Sequence, residues 1–165
     1  MREPGGLFYH WLKPSFNQYL LETVDYYTMD RIKLILVDND QDELYFMEKG
    51  FNSLPFYEII GKFSDGAALM EFLYEARRLP DLVITDLNVP GKSGIEIARE
   101  ITLNPNFAYI KVIVLSPGFG SRGFDTKRSG RGGLSFFFPK PSSLLEYKSF
   151  ATDLYDKILA DLIQH

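Results

Sequence analysis

From residue 31 onward, short apolar runs alternate with segments of helical periodicity, and few folds accept that pattern. Ile32-Lys33-Leu34-Ile35-Leu36-Val37 is a nearly continuous apolar run. Comparable runs recur at residues 57–63, 82–85, 110–115 and 134–138. Continuous rather than alternating apolarity is the mark of strands buried on both faces. Helices are predicted over 40–50 and 65–78, the latter stopped by Pro80. Ser93-Gly94-Ile95-Glu96 and Ser143-Leu144-Leu145-Glu146 have capping-box spacing and open two more. In the last helix Tyr147, Phe150, Leu154, Ile158 and Leu162 mark one apolar face. Strands joined by helices imply right-handed crossovers and a parallel sheet covered on both sides. Five strands within about 130 residues suit a flavodoxin-like α/β three-layer sandwich with strand order 2-1-3-4-5.

In such a sheet ligands gather outside the carboxyl ends of the strands, at the switch point between strands 1 and 3. Strand 1 ends in Asp38-Asn39-Asp40 and strand 3 in Asp86-Leu87-Asn88-Val89-Pro90-Gly91. Strand 4 ends in Ser116-Pro117 and strand 5 in Lys140-Pro141. Carboxylates, a hydroxyl and a lysine are thereby expected at one rim. Clustered carboxylates suit a hard cation, and Mg²⁺ commonly takes one or two of them plus waters and phosphate oxygens. A carboxylate such as Asp86 can attack phosphorus to form an aspartyl phosphate. The lysine and hydroxyl then bind phosphoryl oxygens.

With these four strand ends in this order, the sequence resembles the receiver domain of two-component response regulators, from about Arg31 to Gln164. The resemblance implies that Asp86 is the phosphoacceptor, served by a histidine kinase or a phosphotransfer protein. It implies Mg²⁺ held by Asp38, Asn39, Asp86 and the backbone carbonyl of Asn88. Ser116 and Lys140 would bind the phosphoryl group. Ser116 and Phe137 would act as the switch, and Lys140-Pro141 would be cis. Such a protein is a signalling phosphoacceptor, not an enzyme in the usual sense: it catalyses only its own phosphorylation and dephosphorylation.

Two departures stand out. The family usually has an acid at the position of Asn39, so weaker Mg²⁺ binding is expected; Asp40 is either a substitute or simply the cap of the first helix. The second lies in 117–133, where receivers place their fourth helix: six glycines fall within residues 118–133. Each disfavours a helix by up to about 1 kcal/mol relative to alanine. A short or missing helix is predicted there, together with an altered output face. Phe136 adds aromatic bulk beside Phe137.

Alternative readings follow from the same residues. A pseudo-receiver would bind a partner without phosphorylation, favoured by Asn39 and the loop. Asp38-x-Asp40 also resembles the first motif of haloacid-dehalogenase-type phosphatases, with Asp38 as nucleophile, but the later acidic motif is missing. Gly118-x-Gly120-x-x-Gly123 has dinucleotide-fingerprint spacing without the helix that should follow. Arg122, Lys127, Arg128 and Arg131 form a small basic segment, but the chain's net charge of −4 argues against a nucleic-acid binder.

The absence of cysteine removes disulfides and thiolate chemistry, and the two histidines, His10 and His165, lie near opposite termini. No apolar run reaches the ~18–20 residues of a membrane span, and the start lacks a signal-peptide core. A cytoplasmic location is expected. Residues 1–30 form an aromatic extension with a short helix predicted near 15–28, and Met29 is a possible alternative start. Few residues follow Lys140, so a stand-alone receiver is expected, monomeric or weakly dimeric, passing its signal to an unknown downstream protein by direct contact.

Overall fold

In the computed structural model, residues 31–117 and 135–163 are described. The elements run β1 (Ile32–Val37), α1 (Gln41–Asn52), β2 (Tyr57–Phe63), α2 (Gly66–Glu75), β3 (Leu82–Asp86), α3 (Gly94–Leu103), β4 (Lys111–Ser116), β5 (Ser135–Pro139) and α4 (Leu144–Ile163). The strands form one parallel sheet in the order β2-β1-β3-β4-β5, as the sequence predicts. The expected N-terminal helix and the glycine-rich stretch after Pro117 lie outside the described residues.

The two faces of the sheet carry separate cores. Leu34, Leu36, Ile84, Ile113, Leu115 and Phe138 pack under α1 and α4, against Met47, Phe51 and Tyr147. Ile35, Val37, Val83, Val112 and Val114 pack on the opposite face, against Leu69, Leu73, Ile97 and Ile101 of α2 and α3. This is the period-2 alternation of a strand, with both sides buried. The same alternation separates the phenylalanines of β5. Phe136 and Phe138 join the α1/α4 core, whereas Phe137 packs on the α2/α3 side. Phe136, next to Phe137 in the sequence, therefore adds its bulk on the opposite face of the sheet.

Each helix starts where its cap dictates. Asp40 caps α1, its Oδ1 accepting the N–H groups of Asp42 at 2.9 Å and Glu43 at 3.3 Å. Asp65 does the same for α2, and Ser93 with Glu96 forms a complete capping box on α3. At α4 Ser143 Oγ accepts the N–H of Glu146, while the Glu146 carboxylate accepts the backbone N–H and hydroxyl of Ser142. α2 ends at Glu75, short of the predicted 78, because Ala76 turns to extended backbone. Beyond that turn Arg78 holds Glu58 of β2 through two bonds of 3.0 and 2.8 Å, in fork geometry. Among the described residues no helix is long and apolar enough to cross a membrane.

Candidate functional site

The strand register carries the chemistry to one edge. Val37 pairs with Thr85, so the next residues, Asp38 and Asp86, stand level at the carboxyl ends of β1 and β3. Asp86 pairs with Leu115 and Ser116 with Pro139, which brings Ser116 and Lys140 to the same rim. The backbone closes the arrangement: Lys140 N–H donates to Ser116 O at 3.1 Å, and Leu87 N–H to Leu115 O at 2.8 Å.

At the centre is an ion trio. Lys140 Nζ lies 2.7 Å from Asp38 Oδ2 and 3.0 Å from Asp86 Oδ1. Asp38 is 2% exposed and Asp86 6%, so both carboxylates are largely withdrawn from water. Their other oxygens are also satisfied. Asp38 Oδ1 accepts the Asp40 N–H at 2.9 Å, and Asp86 Oδ2 accepts the Asn88 N–H at 2.7 Å. Burial alone would push the lysine toward its neutral form. The hydrogen bonds to Asp38 and Asp86 outweigh it, and hold the Lys140 pKa above the ordinary lysine value.

The turn after β3 is fixed by Gly91. Its φ of +77° favours glycine, and a Cβ there would come within 2.5 Å of the Asp65 carboxylate that caps α2. The turn thereby presents the exposed Asn88, whose N–H already holds Asp86.

The other sequence candidates are placed as follows. Ser116 is 4% exposed at the end of β4, and Phe137 is half-buried on β5. Asn39 is exposed beside Asp38. Asp40 is a cap, its carboxylate turned along α1 rather than into the trio. Lys140-Pro141 is not cis, since no cis peptide bond occurs among the described residues. The trans form is the intrinsically favoured one for X–Pro, and it already delivers Lys140 to both carboxylates.

Sequence reasoning missed two participants. Glu43, in the first turn of α1, has its Oε2 3.9 Å from Lys140 Nζ. Tyr147, fully buried on α4, donates its hydroxyl to that same oxygen at 2.6 Å. Burial first, and then the Glu43 bond, push the Tyr147 pKa far above the usual tyrosine range, so it stays a donor. Glu43 and Tyr147 are 104 residues apart, so no local motif announces them. The sequence clue is a tyrosine on an otherwise apolar helix face, which when buried must find a polar partner.

For a metal, the donor set is short but usable. Among the described residues no three His, Cys, Asp or Glu side chains are arranged as a metal cluster. Two buried carboxylates do flank one cation position, held by the lysine. Two carboxylates are what Mg²⁺ commonly takes from a protein, the rest of its shell being water and substrate oxygens. The residues fit such an ion, at low charge.

The sequence profile of the response regulator receiver domain matches residues 34–149, well over half of the chain. The chain belongs to the receiver-domain family of response regulators. It is 35% identical over 91 residues to the response regulator Rcp1 of Synechocystis, covering 52% of this chain and 61% of that one. It is 27% identical over 133 residues to a protein-glutamate methylesterase/protein-glutamine glutaminase of Pyrococcus horikoshii, covering 80% of this chain but 34% of that one. Among solved structures, the response regulator domain of Thermotoga maritima CheB is similar with a TM-score of 0.60 and 25% identity, covering 79% of this chain and 96% of that one. The receiver thus spans only part of these two curated relatives. Membership sets aside the phosphatase and dinucleotide readings, and leaves the two receiver readings.

Proposed function

We propose that this receiver takes a phosphoryl group on Asp86 from a histidine kinase or a phosphotransfer protein. The observation that carries this reading is the buried Asp38–Lys140–Asp86 trio at the switch point of the sheet. An Asp86 carboxylate oxygen attacks the phosphorus of a phosphohistidine. The P–N bond breaks, and the imidazole leaves with the electron pair. Lys140 is within reach of the charge that develops on the phosphoryl oxygens, and Ser116 at the next strand end is the second candidate donor. Asp38, Asp86, Asn39 and the Asn88 carbonyl are the residues that would hold Mg²⁺, which neutralises phosphoryl charge when bound. Ser116 and the half-buried Phe137 are proposed to bias a two-state equilibrium read by a downstream protein. A kinase supplied by ATP implies a cytoplasmic exchange.

The rival reading is a pseudo-receiver. The observations that favour it are the uncharged, exposed Asn39 and a lysine that holds both carboxylates at once. Intact-mass spectrometry after incubation with acetyl phosphate, with Mg²⁺ or EDTA, separates the two. A Mg²⁺-dependent adduct of one phosphoryl group, lost in Asp86→Ala, is the expected result. No adduct from acetyl phosphate or from a panel of phosphorylated phosphotransfer proteins would establish the pseudo-receiver instead.

A further inference from the structure

The trio poses a physical problem for any divalent cation. Lys140 Nζ occupies the position between Asp38 and Asp86, at 2.7 and 3.0 Å. A dication cannot share those carboxylates with an ammonium at that range without strong repulsion. Lys140 has to move for the ion to enter. Its side chain is only 15% exposed, so simple release into water is not open to it without rearrangement of the rim.

One carboxylate outside the trio is already in place. Glu43 Oε2 stands 3.9 Å from the same Nζ. The hydroxyl of Tyr147 donates to that same oxygen at 2.6 Å. Tyr147 is itself fixed by full burial between α1 and α4. The Glu43 side chain is 23% exposed, more open to water than Lys140 at 15%. A short displacement of the ammonium toward α1 exchanges Asp38 and Asp86 for Glu43 without leaving the pocket.

Resting on the receiver reading above, we propose that Glu43, oriented by Tyr147, is the positioning residue that receives Lys140 when Mg²⁺ enters between Asp38 and Asp86. The lysine then remains beside the phosphoryl position instead of being expelled. The same exchange pulls on the Glu43–Tyr147 bond, and so connects ion binding to α4.

The test is a double-mutant cycle on Mg²⁺ affinity, read by NMR amide shifts of the full chain titrated with MgCl₂ at constant ionic strength. Glu43→Gln is nearly isosteric and still accepts the Tyr147 hydroxyl. It should raise the Mg²⁺ Kd about five- to tenfold. In a Lys140→Met background the same substitution should change Kd by less than about twofold, because Glu43 acts through the lysine. A through-space charge effect would give equal losses in both backgrounds, and that result overturns the proposal. So does an unchanged Kd in Glu43→Gln alone. If Lys140→Met does not fold, the Lys140 side-chain resonances decide. They should shift on Mg²⁺ addition in the wild type, and move clearly less, or toward solvent-like values, in Glu43→Gln. Equal shifts in both proteins refute the transfer. A wild type that binds no Mg²⁺ removes the phosphoacceptor reading itself, a different outcome from Mg²⁺ binding that ignores Glu43.

Discussion

Lys140→Met tests the ion trio most directly. Methionine keeps most of the lysine stem, so packing changes little and the lost quantity is the charge. At an effective dielectric of about 20, the contacts to Asp38 and Asp86 are each worth roughly 6 kcal/mol before desolvation. Desolvating the ammonium takes back several kcal/mol of that gross figure. The net cost of removal is capped by an escape route: one carboxylate takes a proton, and the pair shares it. Protonating an aspartate of ordinary pKa about 3.9 costs about 4 kcal/mol at pH 7 and about 1.5 kcal/mol at pH 5. The variant should therefore lose about 3–4 kcal/mol at pH 7 and about 1–1.5 kcal/mol at pH 5. The sign follows from linkage. The folded variant binds a proton the unfolded chain does not, so its stability falls as pH rises above the unfolded value. Urea unfolding followed by far-UV circular dichroism at the two pH values measures both numbers. A loss below about 0.5 kcal/mol at pH 7, or a loss independent of pH, would show that the ammonium does not bridge the carboxylates.

Three further outcomes follow from the same geometry. The Lys140 pKa is raised from its ordinary 10.5, so its stabilisation is complete below that value and disappears as pH rises through the folded one. The stability gap between wild type and Lys140→Met should stay level from about pH 8 to 10 and close above it. Gly50→Ala, which normally strengthens a helix by about 1 kcal/mol, should instead destabilise by about 1–2 kcal/mol. The new Cβ would sit 2.7 Å from Tyr147 Cβ, and urea midpoints check the sign. Asp40→Ala should cost about 1 kcal/mol through the lost cap of α1, with the acetyl-phosphate adduct yield unaltered; a lost adduct would place Asp40 in the site.

The strand ends were legible because a parallel sheet converts sequence order into a spatial row. Once Val37 and Thr85 are level, Asp38 and Asp86 have to be. Asp40 was ambiguous for a physical reason: an acid after a strand is a reasonable ligand and an equally reasonable cap. Only the bonds to Asp42 and Glu43 distinguish the two. Tyr147 was read as one more apolar residue on the face of α4, and its ring does pack that way. Its hydroxyl was the unread part. Glu43 was hidden as an ordinary first-turn acid, favourable to the helix dipole whatever else it does. The early end of α2 was hidden too: the chain turns extended at Ala76, and the Arg78–Glu58 fork beyond it joins residues 20 apart.

Asn39 acquires a different meaning once Glu43 is counted. Asp38, Asp86 and Glu43 contribute three negative charges around one lysine, a formal total of −2. An acid at position 39 with an uncharged residue at 43 would give the same total. Compared with that arrangement, this pocket has one carboxylate on α1, next to the lysine, instead of at the exposed end of β1. Asn39→Asp separates charge from placement. The new carboxylate is exposed and adds a like charge beside Asp38, so without divalent ions the variant should lose about 0.5–1 kcal/mol. With Mg²⁺ it adds a direct ligand to the two buried carboxylates, and Kd should fall about tenfold. At saturating ion that is about 1.4 kcal/mol of extra stabilisation, enough to reverse the order of the two melting temperatures. Melting curves with EDTA and with excess MgCl₂ should cross in rank between wild type and variant. Equal Mg²⁺-induced stabilisation in both proteins would mean that position 39 does not face the ion, and that this pocket binds its cation from the α1 side alone.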